Sequence, residues 1–256
     1  MADALGWGAL AASSLVVGAL LGIARLWPDR AIGVVLAFGA GALVSAVSFD
    51  LAQEGVELGG GDSVALGLAA GALTYFLADR AVDRLGEPER AGSSAVPAQT
   101  AEAGTSAVPA QSSEAGTALA LGAFLDGIPE QMVLGIGLAA GGGISVGLLA
   151  AIFISNLPEA IGSATEMRAA GQTATRIRRL WIAVALICTL ATVAGYAIAD
   201  NASGDLQASI NGFAAGALLV MLIDSMIPEA ALKAGKVAGL VTVFGFAVAA
   251  WLSGVS

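Results

Sequence analysis

FLDGIPEQM occupies Phe124 to Met132 and places an aspartate, a proline and a glutamate inside an otherwise apolar run from Ala118 to Ala140. A helix of about 20 residues crosses a hydrocarbon core of about 30 Å, so this run is long enough to span a membrane. A related stretch, FISNLPEAI, follows from Phe153 to Ile161 and shares the phenylalanine and the Pro-Glu pair. The two copies predict neighbouring, antiparallel membrane helices that carry acidic side chains at similar depth.

The composition of the whole chain is that of a membrane protein. Of its 256 residues, 57% are hydrophobic and 12% are charged, and the mean hydropathy is +0.84. An average soluble domain has about 25% charged residues. The single cysteine and the lack of histidine exclude disulfide frameworks, His- or Cys-based zinc sites, HExxH metalloproteolysis and Ser-His hydrolysis. We expect a lipid bilayer around the chain and no nucleic-acid partner.

Apolar stretches separated by charged, Gly or Pro clusters predict an all-α polytopic fold, with eight transmembrane helices in one domain. The predicted spans are residues 5–26, 31–53, 63–85, 116–139, 144–167, 179–199, 209–231 and 235–254. Residues 86–115 repeat the sequence SAVPAQ and are rich in Ala, Ser, Pro and Gly. This connection therefore predicts a disordered cytoplasmic linker.

The basic residues predict the orientation of the spans, because short cytoplasmic loops carry the excess of Lys and Arg. All eleven fall in alternate connections: Arg25, Arg30, Arg80, Arg84, Arg90, Arg168, Arg176, Arg178, Arg179, Lys233 and Lys236. Both termini are therefore predicted to be extracytoplasmic, in a multi-pass protein of the cell (inner) membrane.

Spans 2 and 7 resemble each other. FGAGAL at Phe38 aligns with FAAGAL at Phe213, and at the same offset Glu54 meets Glu229. Since the two spans are predicted to run in opposite directions, they indicate inverted repeats, which are usual in secondary transporters, in a 3+2+3 arrangement. Asp50 and Glu54 at the end of span 2 are predicted to form a solvated entrance. Asp224 in span 7 is predicted either to line the pathway or to make a polar packing contact.

The two Pro-Glu stretches supply the candidate site. On each helix a polar side chain and a glutamate four residues apart share a face; the pairs are Asp126 with Glu130 and Ser155 with Glu159. The proline before each glutamate frees a backbone carbonyl and predicts a kink. Each carboxylate at bilayer depth costs at least about 2.5 to 3.5 kcal/mol, and no basic residue is predicted near mid-membrane. A bound cation is the favoured counter-charge, with a proton relay or protonated structural carboxyls as the alternatives.

Taken together, these residues resemble the ZIP (Zrt/Irt-like) family of divalent metal transporters over nearly the whole chain. In that family, spans 4 and 5 each carry a motif close to His-Asn-x-Pro-Glu, and the two motifs form a metal site at mid-membrane. The Pro-Glu halves are kept here, and Asn156 matches the family asparagine. Asp126 and Ser155 replace the histidines, and Gly127 replaces the other asparagine. Thr192 stands where span 6 of the family often has a glutamate.

The resemblance implies a site for one metal ion. Its predicted ligands are Asp126, Glu130, Asn156 and Glu159, with Ser155 as a further candidate. Oxygen donors suit Mn, Fe(II), Mg or Ca better than zinc or copper, although zinc also accepts carboxylates. The expected function is uptake of a transition metal such as Zn, Fe(II) or Mn into the cytoplasm, without enzymatic activity and without a cofactor beyond the transported ion. The resemblance also implies alternating access and a homodimer.

Other functions stay open at this point. One is a proton-coupled carrier of another solute, and a second is a metal sensor that does not transport, because both family histidines are replaced. A third is an intramembrane aspartyl hydrolase, which would pair Asp126 with Asp224. Neither aspartate lies in the Gly-x-Gly-Asp setting expected of such an enzyme.

Overall fold

The computed structural model describes residues 1–86, 127–139, 145–200 and 202–253, and these residues contain α- and π-helix but no β-strand. The α-helices, in chain order, are α1 (Ala2–Ala24), α2 (Asp29–Ala46), α3 (Glu54–Gly86), α4 (described over 127–139), α5 (Val146–Ala169), α6 (Ala174–Ala199), α7 (Gly204–Met221), α8 (Ile227–Ala234) and α9 (Val237–Ser253). Two π-helical segments, Val47–Gln53 and Leu222–Met226, connect α2 to α3 and α7 to α8. Asp126 and the linker predicted after Gly86 lie outside the described residues.

Five helical stretches of the described chain are long and apolar enough to cross a membrane: Ala2–Ala24, Asp29–Ala81, Val146–Ala169, Ala174–Ala199 and Gly204–Ala234. The second is 53 residues long, far more than the about 20 residues that one crossing needs. Its regular path is broken at Gly60, whose φ of 83° favours glycine. The shorter α9 is also apolar. The chain is therefore an α-helical multi-pass membrane protein, and the count of eight crossings stays a prediction.

Structural landmarks recur at a constant spacing along the chain. Four pairs of landmarks are each 175 positions apart. They are the ends of α1 and α6, the starts of α2 and α7, the ends of α2 and α7, and two glycines with positive φ. The pairs are Ala24 and Ala199, Asp29 and Gly204, Ala46 and Met221, and Gly60 and Gly235. Glu54 and Glu229, which the sequence alignment paired, have the same spacing.

Helix α5 is central to the candidate site, because α1, α2 and α4 all pack against it. Glycines allow the first two of these helices to come close. A Cβ atom at Gly18 of α1 would lie 2.5 Å from the Leu157 carbonyl oxygen, and one at Gly39 of α2 would lie 2.9 Å from the Ser155 Cα. On α4, Glu130 contacts Ser155. Three helices therefore determine where the polar face of α5 lies.

Helices α4 and α5 run antiparallel, as the sequence predicts for the two Pro-Glu stretches. Gly137, late in α4, lies near Leu148 at the start of α5, whereas Glu130, early in α4, contacts Ser155 further along α5. The chain stays helical on both sides of Pro158. The two motifs therefore face each other from neighbouring helices.

Candidate metal site

A buried carboxylate joins the two Pro-Glu helices. Glu130 on α4 is 1% exposed, and the Ser155 Oγ atom on α5 lies 3.2 and 3.3 Å from its two carboxylate oxygens. The same hydroxyl lies 3.0 Å from the Ile152 carbonyl oxygen. Because a serine hydroxyl has one proton, it donates to one of these acceptors at a time. The structure thus brings together two of the predicted site residues, one from each motif.

The side chain of Asn156 is a buried amide next to that contact. It is 1% exposed, and neither its Oδ1 nor its Nδ2 atom has a hydrogen-bond partner among the described residues. A buried polar group left unsatisfied costs about 1 to 3 kcal/mol. Glu159, three residues further along the helix, is half-buried and lies on a neighbouring part of the same face. This side of α5 therefore carries an amide oxygen that is free to bind a ligand.

The thiol of Cys188 on α6 is a neighbour of the site that the sequence analysis did not identify. Cys188 is fully buried, and a Cβ atom at Gly127 would lie 2.9 Å from its Sγ atom. The available signal was its spacing, since Cys188 lies one helical turn before Thr192, the position that the resemblance aligns with a glutamate.

Thr192 itself binds a protein side chain. Its Oγ1 atom donates to the Gln131 Oε1 atom over 2.7 Å, and both side chains are fully buried. Helix α1 closes over this contact, because a Cβ atom at Gly8 would lie 2.8 Å from Thr192 Oγ1. A neutral hydrogen bond between α6 and α4 thus lies where the family often has a carboxylate.

The predicted pathway residues have different surroundings. Asp50, in the first π-helical segment, accepts hydrogen bonds from Ser145 Oγ at 3.2 Å and from Ser253 Oγ at 3.4 Å. It thereby connects the start of α5 with the end of α9, and Glu54 lies half-buried one turn further on. Asp224, in the second π-helical segment, lies on an exposed face. Asp50 and Glu54 therefore form a partly buried acidic end of the bundle, whereas the Asp224 side chain is exposed on the surface of the bundle.

Within the described ranges, no group of three or more His, Cys, Asp or Glu side chains is arranged to hold a metal ion. Two of the predicted donors, Ser155 and Asn156, are not of these residue types, and Asp126 lies outside the described residues. The structure thus presents a set of candidate donors on facing helices, and the ligand assignment stays a prediction.

The helices and their buried polar face define a polytopic membrane protein with a carboxylate-bearing interior. In sequence, the chain is 30% identical over 201 residues to a protein of Arabidopsis thaliana described as a "putative zinc transporter". The matched region covers 77% of this chain and 30% of that protein, so the chain spans less than a third of the length of this relative. No family model matches the chain.

Proposed function

We propose that the chain is a ZIP-type transporter that moves a divalent transition metal ion into the cytoplasm through a site on α4 and α5. The observation that carries this proposal is the contact between Glu130 and Ser155, which places a buried carboxylate between the two Pro-Glu helices. The description of the Arabidopsis relative supports a metal ion as the cargo.

The free-energy cost of placing carboxylates in a membrane favours a cation as their partner. A charged side chain at the centre of a bilayer costs at least about 2.5 to 3.5 kcal/mol, and a bound divalent ion would offset this cost for two carboxylates at once. The proposed ligands are those predicted from the sequence: Asp126, Glu130, Ser155, Asn156 and Glu159. Carboxylate, amide and hydroxyl oxygens bind Mn, Fe(II) and Zn, which are the proposed substrates.

The proposed architecture has eight crossings, with inverted repeats on either side of α4 and α5. The landmarks spaced by 175 positions support the repeat. Its inversion is supported by close contacts near Gly33, which lies against Ala234, and near Gly55, which lies against Asn211. Early positions of one half thus meet late positions of the other. Transporters built from such repeats bind their substrates near the bilayer midplane, between the repeats.

We further propose that both termini are extracytoplasmic, that the linker is cytoplasmic and that the protein lies in the inner membrane; the distribution of Lys and Arg supports this orientation. The proposed homodimer is supported by the family resemblance. Asp50 and Glu54 would form the outer entrance, because clustered carboxylates raise the local concentration of cations.

Uptake into proteoliposomes tests the proposed function. The full chain would be reconstituted and supplied in turn with Mn²⁺, Fe²⁺, Zn²⁺, Cd²⁺, Co²⁺ and Mg²⁺. Glu130→Gln and Glu159→Gln keep the size of each side chain and remove its charge, so we expect uptake to fall to the level of empty vesicles. Asp3→Asn is the control, because Asp3 is an exposed carboxylate in the first turn of α1.

The outcomes separate transport from the assignment of its site. If the unaltered chain moves none of the six ions faster than empty vesicles do, the transporter proposal is wrong. If the chain transports metal and both glutamine variants do so equally well, the function stands and the site on α4 and α5 is wrong. A similar loss in Asp3→Asn would show that the loss of uptake is not specific to the carboxylates of α4 and α5.

A further inference from the structure

We propose that the ammonium group of Lys233 sets the affinity of the candidate site for its ion. It lies beside the polar face of α5, offsets part of the negative charge of the carboxylates and so weakens the binding of a divalent cation. This inference rests on the proposed function, because it adds a positive charge to the surroundings of the same site. A transported ion must be bound tightly enough to enter and weakly enough to leave.

The ammonium group of Lys233 lies against α5. A Cβ atom at Gly162 would lie 3.6 Å from the Lys233 Nζ atom. Gly162 follows Glu159 by three residues, so these two positions are neighbours on one helix face, with Cβ positions about 5 to 6 Å apart. Glu166 follows Gly162 by four residues and continues the same face. Lys233 therefore lies between two acidic positions of α5, one turn beyond the proposed ligand Glu159.

Two contacts hold the lysine in this place. Its Nζ atom lies 2.5 Å from the Glu229 Oε1 atom, one turn earlier in α8. A Cβ atom at Gly33 of α2 would lie 2.6 Å from the Lys233 Cβ atom, so α2 packs directly against this part of α8. The Lys233 side chain is only 15% exposed, and salt screens the charge of a partly buried group less than that of an exposed one. The positive charge is thus fixed beside α5.

The two ends of α5 differ in charge. At its start, the Ser145 hydroxyl donates a hydrogen bond to the Asp50 carboxylate over 3.2 Å. Towards its end, the Lys233 ammonium group lies beside Gly162. The distribution of Lys and Arg predicts that the first end faces outward and the second faces the cytoplasm. A cation that moves inward would therefore meet negative charge first and positive charge last.

Coulomb's law gives the size of the expected effect. An ammonium group roughly 10 Å from a divalent ion weakens its binding about fourfold at the dielectric constant of water, and more at the lower dielectric constant of a protein. Lys233→Gln removes this repulsion and also removes the ion-pair partner of Glu229, whose uncompensated charge adds attraction. We therefore expect the dissociation constant of Mn²⁺ to fall at least about fourfold in this variant.

Calorimetric titration of Mn²⁺ into the full chain in detergent, at about 0.15 M salt, measures this constant. The Mn²⁺ concentration for half-maximal uptake into proteoliposomes should fall with it. Lys233→Arg keeps the positive charge and should retain both values of the unaltered chain. Lys236→Gln is the matched control, because Lys236 lies three residues further on and is exposed, so its charge is screened and its removal should change neither value.

Glu229→Gln should give a shift of the opposite sign. This variant leaves the ammonium group without its compensating carboxylate, so the repulsion grows and the dissociation constant of Mn²⁺ should rise. A general loss of structure would weaken binding in both variants. The proposal instead expects tighter binding in Lys233→Gln and weaker binding in Glu229→Gln.

The results distinguish this inference from the proposed function. If the unaltered chain transports metal but Lys233→Gln binds Mn²⁺ equally or more weakly, the inference is wrong and the transporter proposal stands. The inference is also wrong if Lys233→Arg behaves like Lys233→Gln, or if Lys236→Gln gives an equal shift. If Lys233→Gln does not fold, Glu229→Gln decides, and binding at least as tight as in the unaltered chain would overturn the inference. If the unaltered chain transports no ion, the proposed function is wrong and this inference falls with it.

Discussion

Replacement of Gly39 by alanine would test whether α2 holds the candidate site in place. The new Cβ atom would lie 2.9 Å from the Cα, 3.2 Å from the N and 3.3 Å from the Cβ of Ser155. Carbon atoms pack at about 3.5 to 4.0 Å, so α2 and α5 would have to separate by roughly 0.6 to 1 Å. Overpacking of this kind typically costs about 1 to 3 kcal/mol of unfolding free energy.

The same displacement would reach the carboxylate. Gly39 packs against the backbone of Ser155, and the hydroxyl of the same residue contacts Glu130, so a shift of Ser155 moves this hydroxyl relative to the carboxylate. The Ser155 Oγ atom starts 3.2 and 3.3 Å from the carboxylate oxygens, and the shift would increase these distances to about 4 Å, beyond hydrogen-bond range. A hydrogen bond to a charged group contributes about 1.5 to 3 kcal/mol. We therefore expect the metal concentration for half-maximal uptake to rise about tenfold or more.

Two measurements check this prediction: the metal dependence of uptake in proteoliposomes and thermal unfolding in detergent. Gly6→Ala is the matched control, because nothing lies within 4 Å of the Cβ atom that it would add in α1. There, alanine should stabilise the helix by up to about 1 kcal/mol and leave uptake unchanged. If Gly39→Ala matched the unaltered chain in both measurements, the reasoning from the α2–α5 contact would be wrong.

Two further changes test other contacts of the site. Thr192→Val should lower the unfolding free energy by about 1 to 3 kcal/mol, because the buried Gln131 loses its hydrogen-bond donor. Thr192→Ser keeps the hydroxyl and is the control. If denaturant unfolding gave the same stability for both variants, the hydrogen bond between Thr192 and Gln131 would not contribute to stability. Glu54→Gln should slow initial metal uptake at 0.01 M salt and have little effect at 1 M, since the Debye length falls from about 30 Å to about 3 Å. Equal slowing at both salt concentrations would refute an electrostatic role for Glu54.

Several features of the protein could be predicted from the sequence because they depend on local composition. Apolar runs of membrane length predict the helices, and the structure has all-helical secondary structure in every described range. The Pro-Glu repeat predicts facing helices, and the contact between Glu130 and Ser155 agrees with it. The sequence alignment paired Glu54 with Glu229, which are 175 positions apart. The ends of α2 and α7 and the positive-φ glycines Gly60 and Gly235 have the same spacing.

Other features required the tertiary structure, because they depend on how each helix is rotated and how closely its neighbours approach. Nothing local to Cys188 indicates that its sulfur lies against Gly127, and nothing local to Thr192 indicates its hydrogen bond to Gln131. The unsatisfied amide of Asn156 is also visible only when every neighbouring helix is in place. The sequence by itself determined that carboxylates lie on two neighbouring membrane helices, since hydropathy and residue spacing are local properties. Only the packing of α6 against α4 placed the Cys188 sulfur against Gly127 and the Thr192 hydroxyl against Gln131, because these contacts join residues far apart in the chain.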